Sequence, residues 1–267
     1  MISVWQNKET DELWVAVRGS KFRSNDIFSD AQILLGGTPG VVAHQRWQIA
    51  LHQPTAIFDM NIEPVSIEVT VENGLTMRGY EWPMRGAPVV LLHDYGKDLD
   101  VWQDLDRELA ESGFRVINLE LRGHGLSDGE ANRNSVFSDT QALLKEVEGV
   151  WGPIGLCSYG RVAAILCSLD SVCVPTVQIV VSPLLGTGKE LPARGQRPDT
   201  SYLVISGTGD QQRKEQARLV FDCLGQNKLW ASVASEKQGP ELLLKHRHLV
   251  GDIALFLQRY LVPAHLK

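Results

Sequence analysis

The sequence predicts an α/β fold: a mostly parallel, twisted sheet with helices on both faces, preceded by an N-terminal extension. Three observations predict it. From about residue 65 onward, short β-branched runs alternate with longer helical-period stretches, a pattern that implies βαβ crossovers. Within it, three runs each end in a turn that needs glycine: APVVLLHDYG, GFRVINLELRGHGLSDG and GPIGLCSYGRVAA. The chain has 267 residues, 43% apolar and 22% charged, ample for one large buried core.

Residues 1–62 differ from the rest and form an extension of unknown role, ahead of a domain over 63–267. The extension holds three of the seven tryptophans, a strand at Leu13–Val17 and an apolar-periodic stretch at Asp26–Leu35. A Gly/Pro break at Gly36–Gly40 separates that stretch from an amphipathic one at Val41–Leu51, and Pro54 and Pro64 bracket a linker.

Beyond it, SIEVTVE alternates with period two, and LTMRGYEW follows across an Asn-Gly turn, so the two pair as an edge hairpin. VVLL (89–92) is the next strand. A helix over about Asp98–Glu111 gathers Val101, Trp102, Leu105 and Leu109 on one face, and RVINLEL (115–121) is again a strand. Val136–Val150 is helical, Ile154–Cys157 is a strand, and Arg161–Leu169 is an Ala-rich helix able to pack closely on the sheet. Strands at Val177–Val181 and Tyr202–Ser206, a helix at Arg213–Leu224, a strand at Leu229–Val233 and a final helix from about Glu241 to Leu261 complete the chain. In such sheets a site forms at the strand carboxyl ends.

Net charge is −6 with a pI of about 5.7, and neither a basic stripe nor a Lys/Arg-rich amphipathic stretch points to nucleic acid or a membrane surface. Apolar runs are of strand length, so no transmembrane helix is expected, and the polar start MISVWQNKETDELW is unlike a signal peptide. Cys157, Cys167, Cys173 and Cys223 lack paired metal-ligand spacing, which predicts no metal site and a reduced, cytoplasmic setting.

The motifs HDYG (93–96), LRGHGLSDG (121–129) and SYGRVAA (158–164), with YLVISGTGDQQ (202–212), resemble those of the α/β-hydrolase family, esterase- and lipase-like. The resemblance covers about 64–267. It implies a nucleophile elbow at Ser158, with Gly160 as the small residue two positions on and Leu156 where glycine is usual. Read instead with Cys157 as nucleophile, the turn gains Gly155 but meets Tyr159 where glycine is wanted, and only the Ser158 frame matches S-x-G-x-x-A-A. The backbone amides of Tyr95 and Tyr159 would form the oxyanion hole, a device whose loss costs about 3 kcal/mol of barrier per donor. Asp94 replaces a glycine of that loop. His93 and His124 are expected to be structural, and Asp210 to orient an imidazole.

The base position is degenerate. The loop 235–240 has no histidine, and QGPELL puts Gln238 where relatives carry one. Glutamine cannot take and return a proton near neutral pH. His246 and His248 follow within a few residues and are candidates to reach Ser158 if the last helix starts late. The connection 182–201 is too short for a helical lid. LWVAVRGSKFRSNDIFSD (13–30) also resembles a short stretch of class 3 lipases, without a second serine elbow. Three readings follow: a serine hydrolase of carboxylic esters or thioesters without cofactor; a catalytically silent binding or assembly subunit that uses residues 1–62 as a protein-contact surface; and acyl transfer through Ser158 or Cys157.

Overall fold

The computed structural model describes residues 63–71, 74–168, 174–186 and 199–261 in full, together with the backbone of three short strands ahead of them. Those three are β1 (Ile2–Asn7), β2 (Glu12–Val17) and β3 (Gln32–Leu34). β1 and β2 pair antiparallel as a separate hairpin, and β2 coincides with the strand expected at Leu13–Val17. The amphipathic stretch expected at Val41–Leu51 lies outside the described residues.

The remaining strands are β4 (Val65–Val71), β5 (Leu75–Trp82), β6 (Pro88–Leu92), β7 (Arg115–Leu119), β8 (Gly155–Tyr159), β9 (Val177–Val181), β10 (Ser201–Gly207) and β11 (Lys228–Val233). The helices are α1 (Leu105–Glu111), α2 (Val136–Trp151), α3 (Gly160–Leu166), α4 (Gln211–Cys223), α5 (Pro240–Lys245) and α6 (His248–Tyr260). Nine strands form one sheet in the order β3-β11-β10-β9-β8-β6-β7-β5-β4. β6 to β11 run parallel, whereas β5 lies antiparallel between β4 and β7, and β3 adds antiparallel to the β11 edge. This is the α/β architecture the sequence predicts.

Alternation along each strand divides the core. Val89 and Leu91 of β6 face α1 and α6 with Leu105, Leu109, Ile253 and Leu257. Val90 and Leu92 face α2 and α3 with Leu143, Leu144, Val162 and Leu166. Each such side chain, fully removed from water, contributes about 1.5–3 kcal/mol. A third cluster packs α4 against β10 through Val204, Ala217, Val220 and Phe221.

Two expected helices are split. The stretch 98–111 becomes a 3-10 turn (Leu99–Trp102) and then α1, because Gln103 adopts φ 50, outside any helix. The last helix breaks at His246 (φ −121, ψ 70). A continuous helix would carry His246 and Arg247, four residues after Leu242 and Leu243, onto the buried face. The break rephases the chain so that Leu249, Val250 and Ile253 are buried there instead.

One strand is longer than expected. β8 continues through Ser158 to Tyr159 rather than ending at Cys157.

Candidate functional site at the strand carboxyl ends

The loops after β6, β8, β9, β10 and β11 open on one end of the sheet, as parallel pairing requires. The turn after β8 follows the candidate nucleophile. Ser158 pairs in register with Leu92 and Val180, is 0% exposed, and its Oγ has no hydrogen-bond partner. Tyr159 is still extended, at φ −135 and ψ 168. The left-handed bend falls on Gly160, with φ 65. The bend expected at Ser158 is therefore two residues further on, and Ser158 is a buried strand residue behind it. A Cβ on Gly160 would lie 2.2 Å from Asp94 Oδ2, so both the backbone angle and the space call for glycine there.

Asp94 is the centre of the arrangement. Its Oδ1 accepts from the N–H groups of Tyr95 at 2.9 Å, Arg161 at 3.0 Å and Val162 at 3.0 Å. Two of these donors open α3 and the third belongs to the loop after β6. The amide that converges with Tyr95 is thus that of Arg161, not that of Tyr159, which sits one residue before the bend. The Tyr159 ring instead meets Trp102 edge-on at 5.2 Å and lies against Gly239, where a Cβ would come within 2.9 Å of it. Burial pushes its phenol up to about 12, and the charges of Asp94 and Asp98 act in the same direction.

The loop carrying Asp94 is fixed from behind. His93 is fully buried. Its Nδ1 lies 2.9 Å from the Asp94 carbonyl, and its Nε2 faces the Leu121 N–H at 3.0 Å and Glu120 Oε2 at 2.8 Å. His124 accepts from the Gly96 N–H at 2.9 Å and stacks edge-on with Tyr95. Both histidines hold loops, in keeping with the structural part expected of them. Arg122 in turn ties the RGHG turn to α2 through Asp139, with Nε 2.7 Å from Oδ2.

None of the acid and base candidates hydrogen-bonds Ser158 Oγ. Asp210 is exposed and caps α4, its Oδ1 accepting from the Arg213 N–H at 3.1 Å. Gln238 donates from Nε2 to the Gly207 carbonyl at 3.2 Å, and its Oε1 is buried without a partner. His246 ends α5 and His248 opens α6, with ring centroids 6.0 Å apart. Neither imidazole bonds Ser158 Oγ. Cys157, Cys167 and Cys223 are free and buried, and burial pushes the Cys157 thiol far up. Among the described residues no group of three His, Cys, Asp or Glu side chains could hold a metal ion.

Sequence reasoning missed two residues. Gly160 carries the bend, and its signal was available: Ser158 is itself small enough for the crowded place two residues before an elbow. Ser182, just after β9, has φ 46 and accepts the Gly239 N–H at 2.8 Å, tying that loop to the one after β11. No local motif marks it.

A model of the alpha/beta hydrolase fold matches residues 87–149, from β6 through most of α2. Over 63 residues the chain is 35% identical to a putative non-heme haloperoxidase of Mycobacterium phage D29, a match covering 24% of this chain and 23% of that protein. The chain thus spans about a quarter of the length of that curated relative. Among solved structures, a Pyrococcus furiosus esterase superposes with a TM-score of 0.58 at 16% identity, covering 76% of this chain and 93% of that one. An esterase from a Rhodococcus species gives 0.59 at 15% identity, covering 73% and 99%. An alpha/beta hydrolase from a Penicillium species gives 0.61 at 13%, covering 74% and 99%. At such identities the structural likeness speaks for the fold.

The chain has the α/β-hydrolase fold, and over residues 87–149 its sequence is similar to that family. At its strand ends it carries a glycine on the bend, a carboxylate in the amide cradle and a glutamine in the loop after the last parallel strand. No helix among the described residues is long and apolar enough to cross a membrane.

Proposed function

We propose that this protein is a non-hydrolytic member of the fold that serves as a binding or assembly subunit. The observation that carries the reading is the bend at Gly160, where the elbow of a hydrolase would present its nucleophile and this chain presents no side chain. The surroundings support it. Ser158 is buried within a strand, Asp210 is engaged in capping α4, and Gln238 offers no titratable nitrogen. On this reading Gln238 marks a lost base position, and Tyr95 and Arg161 are the remnant of the oxyanion pair.

The contact surface for a protein partner is assigned to residues 1–62. Its support is that β3, from this stretch, adds to the β11 edge. A cytoplasmic setting belongs to the same reading, supported by the free thiols of Cys157, Cys167 and Cys223.

The competing reading is a serine hydrolase of esters or thioesters through Ser158. A fluorophosphonate probe and a p-nitrophenyl ester series distinguish the two on the folded, full-length protein. The expected result is neither covalent labelling nor turnover above buffer. Labelling that maps to Ser158, together with turnover lost in Ser158→Ala, would overturn the non-hydrolytic reading.

A further inference from the structure

We infer that Asp94 is a built-in plug: its carboxylate is the resident occupant of the oxyanion cradle and shuts the strand-end site against acyl ligands. The inference deepens the non-hydrolytic reading and rests on Gly160 standing at the bend.

Three N–H groups from two separate elements converge on one oxygen, at 2.9, 3.0 and 3.0 Å. Charge-assisted bonds of this kind are the strong ones, and one carboxylate oxygen has few lone-pair directions to offer. The donors that would meet a developing oxyanion are therefore already engaged. The second oxygen, Oδ2, occupies the place where a side chain on the bend would begin, 2.2 Å from a Cβ built on Gly160. One carboxylate thus fills both the cradle and the nucleophile's space. It arrives from the loop after β6 instead of from the elbow.

The plug is held at both flanks. On one side the Asp94 carbonyl meets His93 Nδ1. On the other, the Tyr95 ring lies under the Arg133 guanidinium at 5.0 Å, and Gly96 donates to His124. The backbone on either side of Asp94 is therefore anchored independently of its side chain. Removing the carboxylate should leave the loop in place and the three amides without an acceptor. The group that would then compete for them is a small free carboxylate.

Chemical rescue tests this on the full-length chain. Asp94→Gly is expected to raise the unfolding equilibrium constant tenfold or more, as loss of a charged acceptor from three part-buried amides should. Sodium formate is expected to restore melting temperature in a saturable way, which sodium chloride at the same ionic strength does not do. The wild-type protein should show no formate-specific shift, and Asp94→Asn should fall between the two because it keeps an oxygen acceptor but not the charge.

Wild-type stability in Asp94→Gly, or a loss that formate does not specifically recover, overturns the plug. If Asp94→Gly does not fold, amide proton shifts in Asp94→Asn decide. The Tyr95, Arg161 and Val162 signals should move together upfield from their wild-type positions, and unchanged signals refute the inference. Ester turnover by the wild-type chain would sink the non-hydrolytic reading, whereas a formate-silent Asp94→Gly without turnover sinks only the plug.

Discussion

Replacing Gly160 by alanine puts a methyl carbon 2.2 Å from Asp94 Oδ2, a separation that side-chain carbons do not tolerate. Two costs add. A non-glycine residue in the left-handed region, here φ 65, costs about 1–2 kcal/mol. The carboxylate must also withdraw from three amides, and each hydrogen bond to a charged group contributes about 1.5–3 kcal/mol, less than additively when they share one acceptor. A total of about 3–5 kcal/mol follows, a large share of the roughly 5–15 kcal/mol that holds a domain folded. At about 2–4 °C per kcal/mol for a domain of this size, melting should fall by about 10 °C.

The assay is urea denaturation followed by tryptophan fluorescence, on Gly160→Ala, Asp94→Gly and the double variant. With Asp94 gone the steric part vanishes, so Gly160→Ala should then cost only the conformational 1–2 kcal/mol or so. The cycle should show about 2 kcal/mol of coupling. Strict additivity, or a loss below about 1 kcal/mol for Gly160→Ala alone, would refute the interlock of loop and bend.

Three further outcomes are expected. Gln238→His should give no esterase activity on p-nitrophenyl butyrate, because the bend at Gly160 presents no nucleophile for an imidazole to activate; turnover lost again on Ser158→Ala would contradict this. Burial pushes the Cys157 thiol up, so iodoacetamide at pH 8 should leave Cys157 unmodified in folded protein and alkylate it in urea, as peptide mass spectrometry can read. Burial also lifts Asp252 from an ordinary 3.8 to about 6. The folded chain then binds the extra proton between those values, so stability at this site declines as pH rises through that window and stays reduced above it. Asp252→Asn should remove that slope and be about 1–2 kcal/mol more stable than wild type at pH 7, by denaturation at several pH values; an unchanged slope would count against it.

Strand-length runs between glycine turns were enough to determine the parallel sheet, because a strand buried on both faces is continuous and β-branched in sequence. VVLL, VINL and VQIVV all fall inside observed strands. The RGHG turn and the structural roles of His93 and His124 were legible for the same local reason. The phase of the bend after β8 was not. SYG admits a turn at serine or at glycine, and the choice depends on Asp94, which is distant in sequence and reaches the bend only once β6 and β8 pair. The breaks at Gln103 and His246 were likewise hidden, since helical periodicity passes across them and only packing against the sheet fixes where apolar faces must be rephased. Sequence by itself determined the scaffold and the residue types at its strand ends. Tertiary structure decided which of them meet, because a carboxylate and three amides from separate loops share one site only after the sheet has formed.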